Sequence, residues 1–268
     1  FDLMKLSISG TIERQEFPVK FMYGKRESMP IGVIVNVLSV VLGGLLGALA
    51  GHKLPDSLKK ELNVAFGVCA MGIGIPSIVL MKNMPAVIFA VVAGTAIGLA
   101  CHLGLLIRRG AELLQKPIAR LFPAKGESEE FSSSLVTLLV LFCASGTGIY
   151  GTLSSGMTGD HTLLIAKSVL DLFTAAVFAC NLGIVVSEVA VPQLIIFLLL
   201  FFGARLIFPL TTPDMIDDFK ACGGILMLAT GFRMAKIKEF PVADMIPAMV
   251  LAMPVSWAWS QWVLPLLS

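Results

Sequence analysis

Long apolar runs divided by short charged segments set the pattern of this chain. Uncharged stretches cover residues 29–51, 62–81, 83–107, 131–159 and 245–268. Each is long enough for a bilayer-spanning helix, which needs about 20 mostly apolar residues because only a helix or a closed barrel satisfies its own backbone in lipid. Two further runs carry isolated charges. Residues 161–187 are interrupted by Lys167 and Asp171, and residues 189–210 by Arg205. The last candidate, 221–232, lies between Lys220 and Arg233 and is short enough to be a span or a re-entrant segment.

Charge placement decides between these two, because cytoplasmic loops collect Lys and Arg. Eight spans counted from Met29 put 11 of the 13 loop cations on one side; a re-entrant segment gives 8 against 5. The pattern therefore predicts an all-α polytopic membrane protein of eight transmembrane helices, with both termini outside. The only long loop, 108–130, is then cytoplasmic. Within it residues 113–122 predict an amphipathic helix broken at Pro117. Trp257, Trp259 and Trp262 fall where an aromatic belt meets the outer interface.

Residues 1–28 differ from the rest, with mixed charges and no apolar core of the signal-peptide kind. Their five cations would face outward, against the charge rule. Met29, directly before the first apolar run, reads as the natural start, and 1–28 as an extension; a genuine arm is the other reading. Residues 29–268 form a single transmembrane domain.

Composition agrees. Of 268 residues 56% are hydrophobic and 14% charged, against about a quarter charged in soluble domains, and mean hydropathy is +0.88. A water-soluble enzyme is disfavoured. A net charge of +2 implies no nucleic-acid partner. The five cysteines lie in apolar stretches without CxxC spacing, so no disulfide frame or zinc site is indicated. There is no GxSxG, HExxH or P-loop motif, and no cofactor or metal is expected.

Two segments align at a separation of about 157 residues. Leu54-Pro55-Asp56 matches Thr212-Pro213-Asp214, Gly67 falls on Gly224, Gly74 on Gly231 and Ala86 on Ala243. The shift equals five spans, and an odd shift reverses orientation. Helices one to three and six to eight would then be an inverted pair, an arrangement frequent in secondary transporters. Chance alignment of Gly, Ala and Leu in a hydrophobic chain is the alternative.

Candidate chemistry centres on the fifth span. Asp160 precedes it in a position to cap the helix, and Asp160, Lys167 and Asp171 fall on one helical face. An ionisable group at membrane depth costs about 2.5–3.5 kcal/mol on insertion scales, so it faces the bundle interior and has a partner. Lys167 and Asp171, at i and i+4, suit each other. Arg205, placed at similar depth on the sixth span, would leave a net positive pocket for a small anion or carboxylate. The same three charges could equally lock two helices together. Asn36, with Gly43, Gly47 and Gly51 on the first span, would hydrogen-bond across a close helix contact. Ser145-Gly146-Thr147-Gly148 could expose backbone to a solute where the fourth span is locally unwound.

Gly32 and Asn36 with the Gly43-Gly44 pair, followed by Gly156, Gly159-Asp160-His161 and Lys167-Ser168 with Asp171, resemble the YqgA-like family of bacterial inner-membrane proteins, a domain of unknown function (554). The resemblance extends from about Met29 to the C-terminus. It implies a multi-pass protein of the bacterial inner membrane, loosely associated with biofilm behaviour, and transfers no functional residue. The resulting expectation is a transporter or channel for a small solute or ion, with Asp171, Lys167, Arg205, Asn36 and Asp160 at its site. The rival is a non-transporting scaffold or regulator acting through the cytoplasmic loop. A homodimer is compatible with the small residues on several faces.

Overall fold

The computed structural model describes residues 29–50, 55–121 and 129–267. The predicted extension 1–28 lies outside the described residues. Among those described the structure is all-helical. In chain order the helices are α1 (Ile31–Ala50), α2 (Asp56–Val79), α3 (Met84–Ala100), α4 (Leu103–Leu121), α5 (Glu129–Cys143), α6 (Gly146–Thr158), α7 (Thr162–Leu182), the short α8 (Val185–Glu188), α9 (Ala190–Ile207), α10 (Pro213–Met234), α11 (Ile246–Ala258) and α12 (Leu264–Leu267).

Apolar residues cover the outside as well as the inside. Leu38, Leu42, Leu46 and Leu49 on α1, Ile88, Phe89 and Val92 on α3, and Ile195, Leu199, Phe202 and Leu206 on α9 are all exposed. A helix hydrophobic all round belongs in lipid, and these faces are where lipid would lie. Five segments are long and apolar enough to cross a membrane: Ile31–Ala50, Ser57–Val79, Ser134–Thr158, Thr162–Leu182 and Val185–Leu210. Met84–Ala100 with Leu103–Leu114, bent by 58°, makes a sixth. Length and hydropathy thus give five or six spans where eight are predicted. The other two segments differ for local reasons: α10 carries Asp214, Asp217, Asp218 and Lys220 near its start, and the C-terminal run contains a π-helical turn at Trp259–Val263. The short candidate 221–232 belongs to the continuous 22-residue α10, a rod of about 33 Å.

Two expected features move. The helix of the long loop runs through Pro117 to Leu121 without ending there. The break falls earlier, between α3 and α4, where His102 takes φ 50° and the Asp244 carboxylate accepts the Gly104 N–H at 2.7 Å. A left-handed residue turns the chain out of the helical path, whereas an interior proline can be absorbed as a kink within a continuing helix.

The repeat is visible in the packing. α1 and α9 end, and α2 and α10 begin, 157 residues apart. α2 lies against α10 through close-approach glycines: a methyl group on Gly67 would come within 2.6 Å of the Gly231 carbonyl oxygen, and one on Gly74 within 2.8 Å of that of Gly224. The 157-residue shift turns the first contact into the second, so this antiparallel interface is its own image. α3 packs on α11 in the same antiparallel sense, Gly94 meeting Ala248 and Gly98 meeting Asp244. The central helices flank the repeats. α7 lies parallel to α1, with Gly32 against Leu164, Gly43 against Ala175 and Gly47 against Ala179, while Gly156 of α6 sits against Ala204 of α9.

Candidate functional site

Asp171 stands midway along α7 and its side chain is 9% exposed; Lys167, one turn earlier, is 4% exposed. The spacing of one turn that the sequence offers becomes an ion pair, Lys167 Nζ donating to Asp171 Oδ2. Asn36 Nδ2 donates to the same oxygen from α1 at 2.8 Å. Gln193 Nε2, from α9, in turn donates to Asn36 Oδ1 at 2.8 Å. Four polar side chains from three helices therefore form one buried chain. Its far end is incomplete, since Gln193 Oε1 is buried without a hydrogen-bond partner. The Lys167 ammonium also lies 5.9 Å from the Phe142 ring centroid and 6.0 Å from that of Phe197, where ring quadrupoles favour a cation.

The fourth span is broken beside this cluster. α5 stops at Cys143, and Ser145 caps α6, its Oγ accepting the Gly148 N–H at 3.1 Å. A methyl group on Gly148 would come within 2.7 Å of Phe197 Cζ and 3.2 Å of Lys167 Cε, so glycine is what lets the lysine stem cross the start of α6. The break suggested by Ser145-Gly146-Thr147-Gly148 is narrower than expected: it falls at Ala144 and Ser145, and Gly146, Thr147 and Gly148 already belong to α6.

A cavity of about 30 Å³ lies against the pair, lined among others by Ser145, Thr147, Thr174 and Thr230. Two of its lining pairs, Ala70 with Met227 and Ile73 with Thr230, are separated by the same 157 residues as Asn36 and Gln193. The cavity thus sits where the two repeats face each other. A wider vestibule of about 560 Å³ shares Leu141, Ser145, Thr174, Thr230 and Met234 with it and extends past Arg108, Arg233 and Lys236. Arg108 pairs with Glu112 at 3.5 Å and Arg233 with Glu239 at 3.4 Å. About one turn into α6, beyond Ser145, the route is closed: Tyr150, 1% exposed, donates to Ser77 Oγ at 3.1 Å, and Gly223 lies directly against its ring.

Of the predicted site residues, Asp171, Lys167 and Asn36 meet. Arg205 does not join them. It closes the last turn of α9 with its guanidinium 5.6 Å from the Phe201 ring centroid. Gln193 marks the depth of the cluster on this helix, and Arg205 is twelve residues further, about 18 Å along the axis. The pocket is therefore electrically balanced, one cation to one carboxylate, rather than net positive. Asp160 also stays apart. It is exposed, and its Oδ1 accepts the N–H of Thr162, the first residue of α7, at 2.9 Å from one position before the N-cap His161. Burial raises its pKa, but the Thr162 hydrogen bonds together with the nearby Lys220 and His161 charges hold it below the usual value. Its neighbour His161, with Nδ1 2.6 Å from Ser155 Oγ, is held below 6.5 by partial burial.

A second carboxylate, Asp218, stands in the acidic first turns of α10 beside Asp214 and Asp217. It is wholly buried. Its oxygens accept the Lys82 and Asn83 backbone N–H groups, Asn83 Nδ2 and the Ser256 hydroxyl at 2.6–2.9 Å, so it ties α10 to the start of α3 and to α11. Among the described residues no group of three or more His, Cys, Asp or Glu could hold a metal ion.

Lipid-facing apolar helices, an inverted repeat and a polar cluster between the repeats define a polytopic α-helical membrane protein with an enclosed charged site. The chain belongs to the family described as protein of unknown function (DUF554), which matches residues 31–257. It is 48% identical over 237 residues to the Escherichia coli (strain K12) protein named "Uncharacterized protein YqgA", covering 87% of this chain and 99% of that one. It is 24% identical over 223 residues to the Bacillus subtilis (strain 168) "Uncharacterized membrane protein YdfK", covering 82% and 93%. No solved structure gives a significant match.

Proposed function

We propose that this protein transports a small solute or ion across the bacterial inner membrane, using the Lys167–Asp171 pair as its binding site. One observation carries the reading: the vestibule and the inner cavity share five lining residues, three of them hydroxyl-bearing, so an open route from one end of the bundle reaches the charged pair. A structural ion pair sealed by packing would need no such route. The setting supports it as well, because transporters place their sites between inverted repeats, beside helices broken where the backbone lines a cavity. Arg108, Arg233 and Lys236 mark the open side, which the charge rule assigns to the cytoplasm, with both termini outside. Tyr150 and Ser77 close the opposite side. Transport then alternates between this arrangement and one in which the Tyr150 side opens.

The test is flux in proteoliposomes containing the full chain. Gradients of inorganic ions and of small metabolites should dissipate faster with the protein than without it, and Asp171→Asn should abolish the difference. Flux that is absent for every gradient, or unchanged by Asp171→Asn, would move the reading to a scaffold acting through residues 108–130.

A further inference from the structure

We propose that the cavity beside Asp171 binds a single dehydrated monovalent metal cation of the sodium class, which competes with the Lys167 ammonium for the carboxylate. This gives the transport reading its substrate class, and rests on that reading only for movement across the bilayer.

Size comes first. A cavity of about 30 Å³ holds one water-sized species. An amino acid, a sugar or a carboxylic acid fits the vestibule but not the space that touches Asp171.

The lining chemistry selects the sign of charge. Both hydrogen bonds to Asp171 arrive at Oδ2, which leaves Oδ1 uncommitted. The hydroxyls of Thr147, Thr174 and Thr230 share the lining, beside Ser145, whose Oγ is already taken up by the Gly148 N–H and the Thr147 hydroxyl. Two of these direct their protons elsewhere: Thr230 Oγ1 donates to the Leu226 carbonyl at 2.8 Å and Thr147 Oγ1 to Ser145 Oγ at 3.2 Å. A hydroxyl whose proton is engaged offers lone pairs. A carboxylate with hydroxyl oxygens is the donor set of a hard cation.

An anion fits less well. Lys167 is already matched by Asp171 and lies near two phenyl rings, and the start of α6 is capped by Ser145. Nor is the approach a bare cationic wall, because Arg108 and Arg233 are paired with Glu112 and Glu239 and Asp244 adds a further carboxylate to the lining. A divalent ion calls for more than one carboxylate at this depth, whereas a single charge placed beside a balanced pair needs only partial displacement of the ammonium from Oδ2. Lys167 thus acts as a tethered rival cation that holds the empty site neutral.

The experiment is equilibrium binding of radioactive sodium to the purified full chain in detergent at pH 8, with melting temperature recorded for each variant. Wild-type protein should bind sodium saturably, displaced by unlabelled sodium and not by N-methylglucamine. Asp171→Asn should weaken binding at least ~10-fold, Thr174→Val about 3-fold, and Lys167→Met should tighten it about 10-fold. No saturable binding, or Asp171→Asn and Thr174→Val variants that melt cooperatively and bind as wild type, overturns the site. Weaker binding by a cooperatively melting Lys167→Met protein overturns the competition. Sodium bound but not moved in proteoliposomes leaves the site standing and removes transport; another solute moved without sodium bound does the reverse.

Discussion

Asn36 and Gln193 are separated by 157 residues and hydrogen-bond to each other at 2.8 Å. Each is the counterpart of the other in the repeat, so the chain meets itself where α1 and α9 touch. The two partners are not equal. Asn36 uses both ends of its amide, accepting from Gln193 and donating to Asp171, whereas Gln193 uses only one. Removing Asn36 strands a donor on Gln193 and a lone pair on Asp171, at about 1–3 kcal/mol for each buried group. Asn36→Ala should therefore lower the melting temperature in detergent clearly more than Gln193→Met, which removes one bond and an already orphaned oxygen. Equal effects would contradict this asymmetry.

The Lys167–Asp171 pair should be conditional in its contribution. Breaking a buried pair from one side costs about 3–5 kcal/mol because a charge is left without its partner, whereas replacing both ends with apolar groups is often neutral. Asp171→Leu alone should destabilise strongly, and Lys167→Met with Asp171→Leu should recover most of the loss. Thermal melts of the two proteins in one detergent decide it; a double variant no more stable than the single one would place the energy elsewhere.

Glycines on the self-matching interface should be intolerant of a methyl group while those facing open space are not. Gly67→Ala collides with the backbone of Gly231 and Ala235, an overpacking expected to cost about 1–3 kcal/mol. Gly72, on the same helix, has nothing within 4 Å of an added Cβ, and Gly72→Ala should stabilise by up to about 1 kcal/mol through helix propensity. Opposite signs in the two melts are the expected result.

Stability should also depend on His161. Its pKa is depressed by partial burial, so the folded state favours the neutral ring. The stabilisation is fully present above the unfolded value near 6.5 and fades as pH falls through the lower folded value. The melting temperature should drop between pH 7 and pH 5, and His161→Gln should flatten that part of the profile. A profile unchanged by the substitution would assign the slope to other groups.

Much of the site was legible because its signals are local. Lys167 and Asp171 advertise a pair by their one-turn spacing in an otherwise apolar run, and Ser145-Gly146 advertises a helix start. Asn36 stood out as an amide among small residues. Gln193 was missed although the signal existed: the same 157-residue shift that pairs Gly67 with Gly224 carries Asn36 onto it. Arg205, read at a similar depth on the sixth span, stands about 18 Å along the axis from the cluster, because the depth of α9 is set by where Gln193 meets α1. Asp218 is not distinguished in sequence from its neighbours Asp214 and Asp217, because nothing within its own helix announces Asn83 and Ser256, which arrive from distant parts of the chain. The bend at His102 was equally silent, since it depends on a left-handed backbone and on Asp244 reaching across from another segment.

The glycine seam between α2 and α10 has a historical reading. Surfaces that remain complementary when partners are exchanged belong to two-fold dimers. Here both halves reside in one polypeptide, pointing opposite ways. A three-helix precursor inserted in both orientations would have formed the same seam between separate molecules, and fusion through a linking hairpin would have fixed each copy in its own direction.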